Sequence, residues 1–85
     1  MSAYSMLTKA EEAIVKFEGS PASLITTVWK LNTAIDETDN KEALKHIKKA
    51  RRSLLRITLQ KSVREETIHN ILAEIEHAKY ELMIE

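Results

Sequence analysis

Cysteine is absent from this chain, and glycine and proline occur once each. Without cysteine there is no disulfide framework, no thiolate zinc site and no cysteine nucleophile. The cysteine-free composition fits a cytosolic protein. With so little glycine and proline, and few β-branched runs, the chain offers poor material for hairpins and strands. Aromatic residues make up only 5%. Long apolar runs are missing too: no segment approaches the roughly 18 uninterrupted apolar residues that a membrane span needs. The first residues, Met1 to Ser5, lack a basic region followed by an apolar stretch, so no secretory signal is expected. Nor does one sign of charge dominate. Thirteen basic and thirteen acidic side chains give a formal charge of zero, so only the local distribution of charge can name a partner.

What is present is helix material. Eighty-five residues, 44% hydrophobic and 31% charged, describe one folded domain rather than a disordered tail. A chain of this length buries only about 60% of the surface its unfolded form exposes, so a lone monomer is marginal. Helical domains this small depend on tight packing or on self-association. A homodimer is therefore an expectation from size alone.

Apolar residues recur at 3–4 spacing in four stretches, which places each set on one helical face. The first set is Ala3, Leu7, Ala10, Ile14 and Phe17, with Met6 and Ala13 beside it. Gly19 is suited to end that helix, Ser20 to cap the next and Pro21 to occupy its first position. The second set is Leu24, Val28, Leu31 and Ile35. Ile25 and Trp29 widen its arc, and the segment carries few charges, so it reads as the most buried helix, with Trp29 a core residue first and an interface anchor as the alternative. Asp39 and Glu42 have capping-box spacing ahead of the third set, Ala43, Ile47, Ala50, Leu54 and Ile57. The fourth is Ile68, Ile71, Ile75, Ala78 and Leu82, with Leu72 and Met83 nearby.

The apolar phase runs on from the third set into the fourth, so one unbroken helix of about 44 residues, roughly 66 Å long, is conceivable. Three features favour a break near residues 60–62. Charged Lys61 and Arg64 fall on the seam, Leu55, Leu59 and Val63 point away from it, and Ser62 with Glu65 forms a capping pair. The expected fold is an all-α antiparallel four-helix bundle with helices at 3–18, 21–37, 40–60 and 63–84, the last two fused in the alternative.

Glu66 with His69 and Glu74 with His77 both match Glu-x-x-His, a spacing used by carboxylate-bridged di-metal bundles. Both pairs lie on one helix and off its apolar line, so they are expected to be surface residues; no metal or cofactor is expected. His46 sits between the polar and apolar faces of the third helix and reads as a boundary residue. No strand-turn-helix elbow or glycine loop is present to support a nucleophile, and an enzyme is not expected.

Residues 41–61 carry the strongest functional signal. Lys41, Lys45, Lys48, Lys49, Arg51, Arg52, Arg56 and Lys61 are opposed there by Glu42 alone. Residues 62–85 run the other way, with Arg64 and Lys79 against six glutamates. On a helical wheel Lys41, Lys45, Lys48, Arg52 and Arg56 fall within about 80° of one another. Such a stripe can follow a phosphate backbone, meet an acidic protein, or simply be solvated or neutralised by an acidic neighbouring helix. No aromatic residue interleaves it for base stacking, and no glycine marks a helix-turn-helix. Leu55 and Leu59 interleave it instead. If the helix runs past Thr58 they stand exposed beside arginines, as in protein interfaces; if it ends there, Leu59 can fold inward with Val63. The expected function is a non-enzymatic protein-interaction module using Lys45, Lys48, Arg52, Leu55, Arg56 and Leu59. The second expectation is a nucleic-acid-binding regulator using the same basic face.

Overall fold

The computed structural model describes residues 2–17, 23–60 and 64–85. Four helices follow one another: α1 (Ala3–Val15), α2 (Ser23–Asp36), α3 (Lys41–Gln60) and α4 (Glu65–Ile84). Ser2 opens α1 in an extended conformation, its hydroxyl accepting from the Ser5 amide at 3.1 Å. The helix stops three residues short of the expected 18. The Phe17 amide donates to the Ile14 carbonyl at 3.1 Å, a tightened last turn that lets Phe17 leave the helix and pack on the core. The boundary signals at Gly19, Ser20 and Pro21 lie outside the described residues.

Helix α2 ends where the Glu37 amide reaches both Thr33 and Ala34 carbonyls. Its successor is capped by Asn40, not by Asp39 as the spacing suggested. Asn40 Oδ1 accepts from the Ala43 amide at 3.0 Å, and the Thr38 hydroxyl accepts from the Asn40 amide at 3.1 Å. Asparagine serves this position as well as aspartate does. It also leaves Nδ2 free to donate to the Glu81 carbonyl and, at 2.8 Å, to a Glu85 carboxylate oxygen. One side chain thus opens α3 and ties its start to the end of α4.

The third and fourth helices are separate. Arg64 is extended, at φ −106° and ψ 136°, and α4 begins at Glu65 with no side-chain cap. The start falls two residues later than an opening at 63 implies, and Ser62 and Val63 lie outside the described residues. Folding back lets α4 cover α3 over its length and removes the seam problem at the charged positions.

Each helix packs on its two neighbours: α1 on α2 and α4, and α3 on α2 and α4. Among the described residues the diagonal pairs do not meet, so the four helices stand at the corners of a square. Directions follow from the contacts. Arg51 Nη1 donates to Asn32 Oδ1 at 2.8 Å across α2 and α3, and Lys79 reaches Glu11 at 3.1 Å across α4 and α1. His46 reaches Glu74 across α3 and α4. Ser2, Ala3 and Tyr4 share one end of the bundle with Glu37, Thr38, Leu82 and Glu85, and Asn40 reaches Glu81 there, so α1 and α3 start where α2 and α4 finish and neighbours are antiparallel. The long axis, 36 Å, suits two 20-residue helices of about 30 Å each.

Leu7, Ile14, Leu24, Leu31, Ile47, Leu54, Ile71 and Ile75 fill the centre, with alanines 10, 34, 43, 50 and 78 at the close approaches. Ile35, Ile68, Leu72 and Leu82 pack at its edge. Two expectations for α2 are corrected. Trp29 is 65% exposed and Ile25 44% exposed, so neither belongs to the core, and α2 is no more buried than α1. The reason is geometric: a corner helix buries an arc toward two neighbours, and the 100° step carries Ile25 and Trp29 beyond that arc. Thr27 takes the inner place instead.

Candidate functional site

Helix α3 remains regular through Gln60, and this decides the fate of its two displaced leucines. Leu55 is 43% and Leu59 82% exposed. They line a surface depression of 490 Å³ together with Lys48, Arg51, Arg52 and Arg56. Five of the six expected residues therefore line one concavity: Lys48, Arg52, Leu55, Arg56 and Leu59. Lys45 is exposed one turn toward the start of the helix, on the same stripe but outside the depression.

Arg51 is the member that the sequence reading left out of the site. Its guanidinium is held by Asn32, which pins the outer edge of α3 to α2. That contact also sets the register of the antiparallel pair. Moving from Asn32 back along α2 reaches Trp29 and then Ile25; moving from Arg51 forward along α3 reaches Leu55 and then Leu59. Angular position puts all four on the α3-facing flank of α2 or the α2-facing flank of α3. The described residues that line the depression all belong to α3, while exposed Trp29 and Ile25 lie on the α3-facing side of α2. Departure from the apolar lines was the available signal, visible for Leu55 and Leu59 but hidden in α2 by its wide arc.

Lys41, Lys45, Lys48, Lys49, Arg52 and Arg56 are exposed, and none forms an ion pair with another described residue. The glutamates of α4 make their close contacts elsewhere, although Glu74 shares a shallow depression with Lys49 and Arg52. Glu74 takes His46, with Nδ1 to Oε2 at 2.6 Å. Glu65 lies 3.8 Å from His69 on its own helix. Glu76 approaches Lys79, which sits 3.1 Å from Glu11 and 5.1 Å from the Tyr4 ring centroid.

This last cluster perturbs titration. Hydrogen bonding with Glu76 holds the Glu11 carboxyl below its ordinary range; burial opposes this, and Lys79 adds to it. The same hydrogen bond and the nearby Glu11 charge hold Glu76 above its ordinary range. Burial disfavours the charge of Lys79, but Glu11, Tyr4 and Glu76 together hold its pKa above the usual lysine value.

The Glu-x-x-His pairs do not act as pairs. Glu74 bonds the histidine of another helix, and His77 stacks on His46 with ring centroids 5.1 Å apart. His46 is thus a half-buried link between α3 and α4 rather than a loose boundary residue. Among the described residues no group of three or more histidines, aspartates or glutamates is placed to hold a metal ion. No described helix is long and apolar enough to cross a membrane.

Comparison with protein families, with characterised proteins and with solved structures found no match. The site is read from its own residues.

Proposed function

We propose that this protein is a non-enzymatic interaction module that docks a protein partner on the outer face of α2 and α3. The observation that carries the reading is the exposure of Leu55 and Leu59 in a depression ringed by arginines and lysine that form no ion pair among the described residues. Apolar anchors surrounded by arginine are the usual make-up of an interface centre, and an exposed tryptophan on the neighbouring helix is a further anchor type on this side. The complementary partner carries apolar side chains among carboxylates. Such a surface steers through charge and holds through burial.

The same unpaired stripe gives the second reading, contact with nucleic-acid phosphate. Chemical-shift mapping separates the two, using an acidic amphipathic helical peptide and a short DNA duplex as probes. The docking reading expects the peptide to shift Trp29, Leu55 and Leu59, and Leu59→Glu to abolish this with helicity unchanged. Duplex binding centred on Lys41, Lys45 and Lys48, falling steeply with salt, gives the site to nucleic acid. Unaltered peptide binding by Leu59→Glu sinks the docking reading.

A further inference from the structure

The outer face of α4 is the counterpart of this site in both charge and order. Tyr80, Met83 and Ile84 are large, exposed and apolar. They fall within about 100° of one another on the side of α4 opposite its core residues Ile71, Ile75 and Ala78. Exposed Glu65, Glu66 and Glu76 lie on that same side. Within α4 the five glutamates are opposed by Lys79 alone, and Lys79 is turned inward to Glu11.

Both faces are divided the same way along the chain. On α3 the stripe begins with Lys41, Lys45 and Lys48 and ends at Leu55 and Leu59, with Arg52 and Arg56 between and beside them. On α4 the stripe begins with Glu65 and Glu66, passes Glu76 and ends at Tyr80, Met83 and Ile84. From Lys45 to Leu59 and from Glu66 to Tyr80 the separation is fourteen residues in each case, about 21 Å of helix. Laid side by side in the same direction with this register, Lys45 falls beside Glu66 and Leu59 beside Tyr80, a basic-acidic pair and an apolar pair, with Glu65 and Glu76 within reach of the arginines and lysines between them.

One chain cannot make this contact with itself. Helices α2 and α4 occupy opposite corners of the square, so the α2–α3 face and the outer face of α4 point in different directions. A symmetric dimer through the α2–α3 face would set Lys48, Arg52 and Arg56 against their own copies, which like-charge repulsion opposes. We propose that the occupant of the α2–α3 face is the outer face of α4 from a second copy of this chain, in a head-to-tail contact with the two helices aligned N- to C-terminus. This rests on the docking reading above and names its partner. Each copy then offers one face and receives the other, so the assembly grows as a ring or an open filament, not as a closed pair. The formal charge of zero accords with this, since the two faces carry opposite charge within one neutral chain.

The test is complementation between charge-reversed variants, followed by light scattering and by Trp29 fluorescence. Lys48→Glu/Arg52→Glu makes both faces acidic; Glu66→Lys/Glu76→Lys makes both basic. With helicity intact by circular dichroism, each variant alone is expected to associate about tenfold or more weakly than the wild type. An equimolar mixture is expected to recover association, with Trp29 emission shifting to the blue as its ring leaves water. A wild type that stays monomeric overturns the proposal, as does a mixture that fails to recover. If the Lys48/Arg52 variant loses association and the Glu66/Glu76 variant keeps it, the α2–α3 face is used but α4 is not its occupant, and only the proposal fails. If association persists in Leu59→Glu, the proposal fails, and loss of peptide binding by the same variant decides the docking reading separately.

Discussion

Two side chains show how far a residue's fate depends on a few degrees of helical phase. Thr27 and Trp29 are two positions apart on α2, yet the threonine is fully buried and the tryptophan is mostly in water. Hydrophobicity alone ranks them the other way. Thr27 Oγ1 has no hydrogen-bond partner within the described residues, so a hydroxyl is held in the core unsatisfied. Valine preserves the shape and removes that desolvated group. Thr27→Val is therefore expected to stabilise the protein by about 1 kcal/mol. For a domain of this size that is a rise of roughly 5 °C in melting temperature, read by thermal unfolding. A destabilised variant would show that the hydroxyl has a partner after all. Leu55 and Leu59 are legible as misplaced because they depart from a narrow apolar line among charges; for Trp29 the apolar neighbours on α2 tip the reading toward the core over the interface.

At the scale of elements, local rules located every helix and erred at their ends. The 3–4 spacing of Leu7, Ala10 and Ile14, or of Ile47, Ala50 and Leu54, is enough to mark a buried stripe wherever it falls in a bundle. Caps are less determined, since adjacent Asp39 and Asn40 both qualify by type. The choice falls on Asn40 because its amide can also reach Glu81 and Glu85, which aspartate cannot do as a donor. Asn40→Ala is expected to lower stability by about 1 kcal/mol from the lost cap. Asn40→Asp keeps the cap and loses the donor, so chemical denaturation should place it between Asn40→Ala and the wild type. Equal stability of Asn40→Asp and the wild type would show that the tie to α4 contributes nothing. The break between α3 and α4 follows similar logic. A continuous apolar phase permits one helix, but a 66 Å rod would leave its far half uncovered, and only folding back gives α4 a surface to bury.

For the molecule as a whole, the cluster joining α1 to α4 sets the response to pH. Glu11 is held below its ordinary pKa, so its contribution to stability is present above the ordinary glutamate range and is lost as pH falls through the lowered value. Glu76 is raised, so its contribution has the opposite sign: it is present at low pH and lost as pH rises through the raised value. Lys79 is raised, so its share is complete below the ordinary lysine value and is lost as pH climbs through the higher folded value. In the acid limb the opposite contributions of Glu11 and Glu76 offset each other, and unfolding free energy measured against pH should fall above the lysine range. Glu11→Gln is expected to flatten the alkaline limb, because it removes the main partner that raises Lys79. An unchanged alkaline limb in that variant would show that Glu11 is not what raises the lysine.

Composition and periodicity by themselves determined the class: a cysteine-free, glycine-poor chain with four amphipathic stripes has no stable fold open to it except packed helices. They also located the charge asymmetry between the third and fourth helices, because a count along the chain needs no coordinates. Only the tertiary structure decided whether those charges cancel. Helices α3 and α4 are neighbours that meet through apolar faces and the His46–Glu74 link, with Lys49 and Arg52 near Glu74 and with Lys45, Lys48 and Arg56 of α3 and Glu65, Glu66 and Glu76 of α4 exposed. Helix periodicity says which residues share a face. It does not say what that face looks at, because this depends on which neighbour occupies each corner of the bundle.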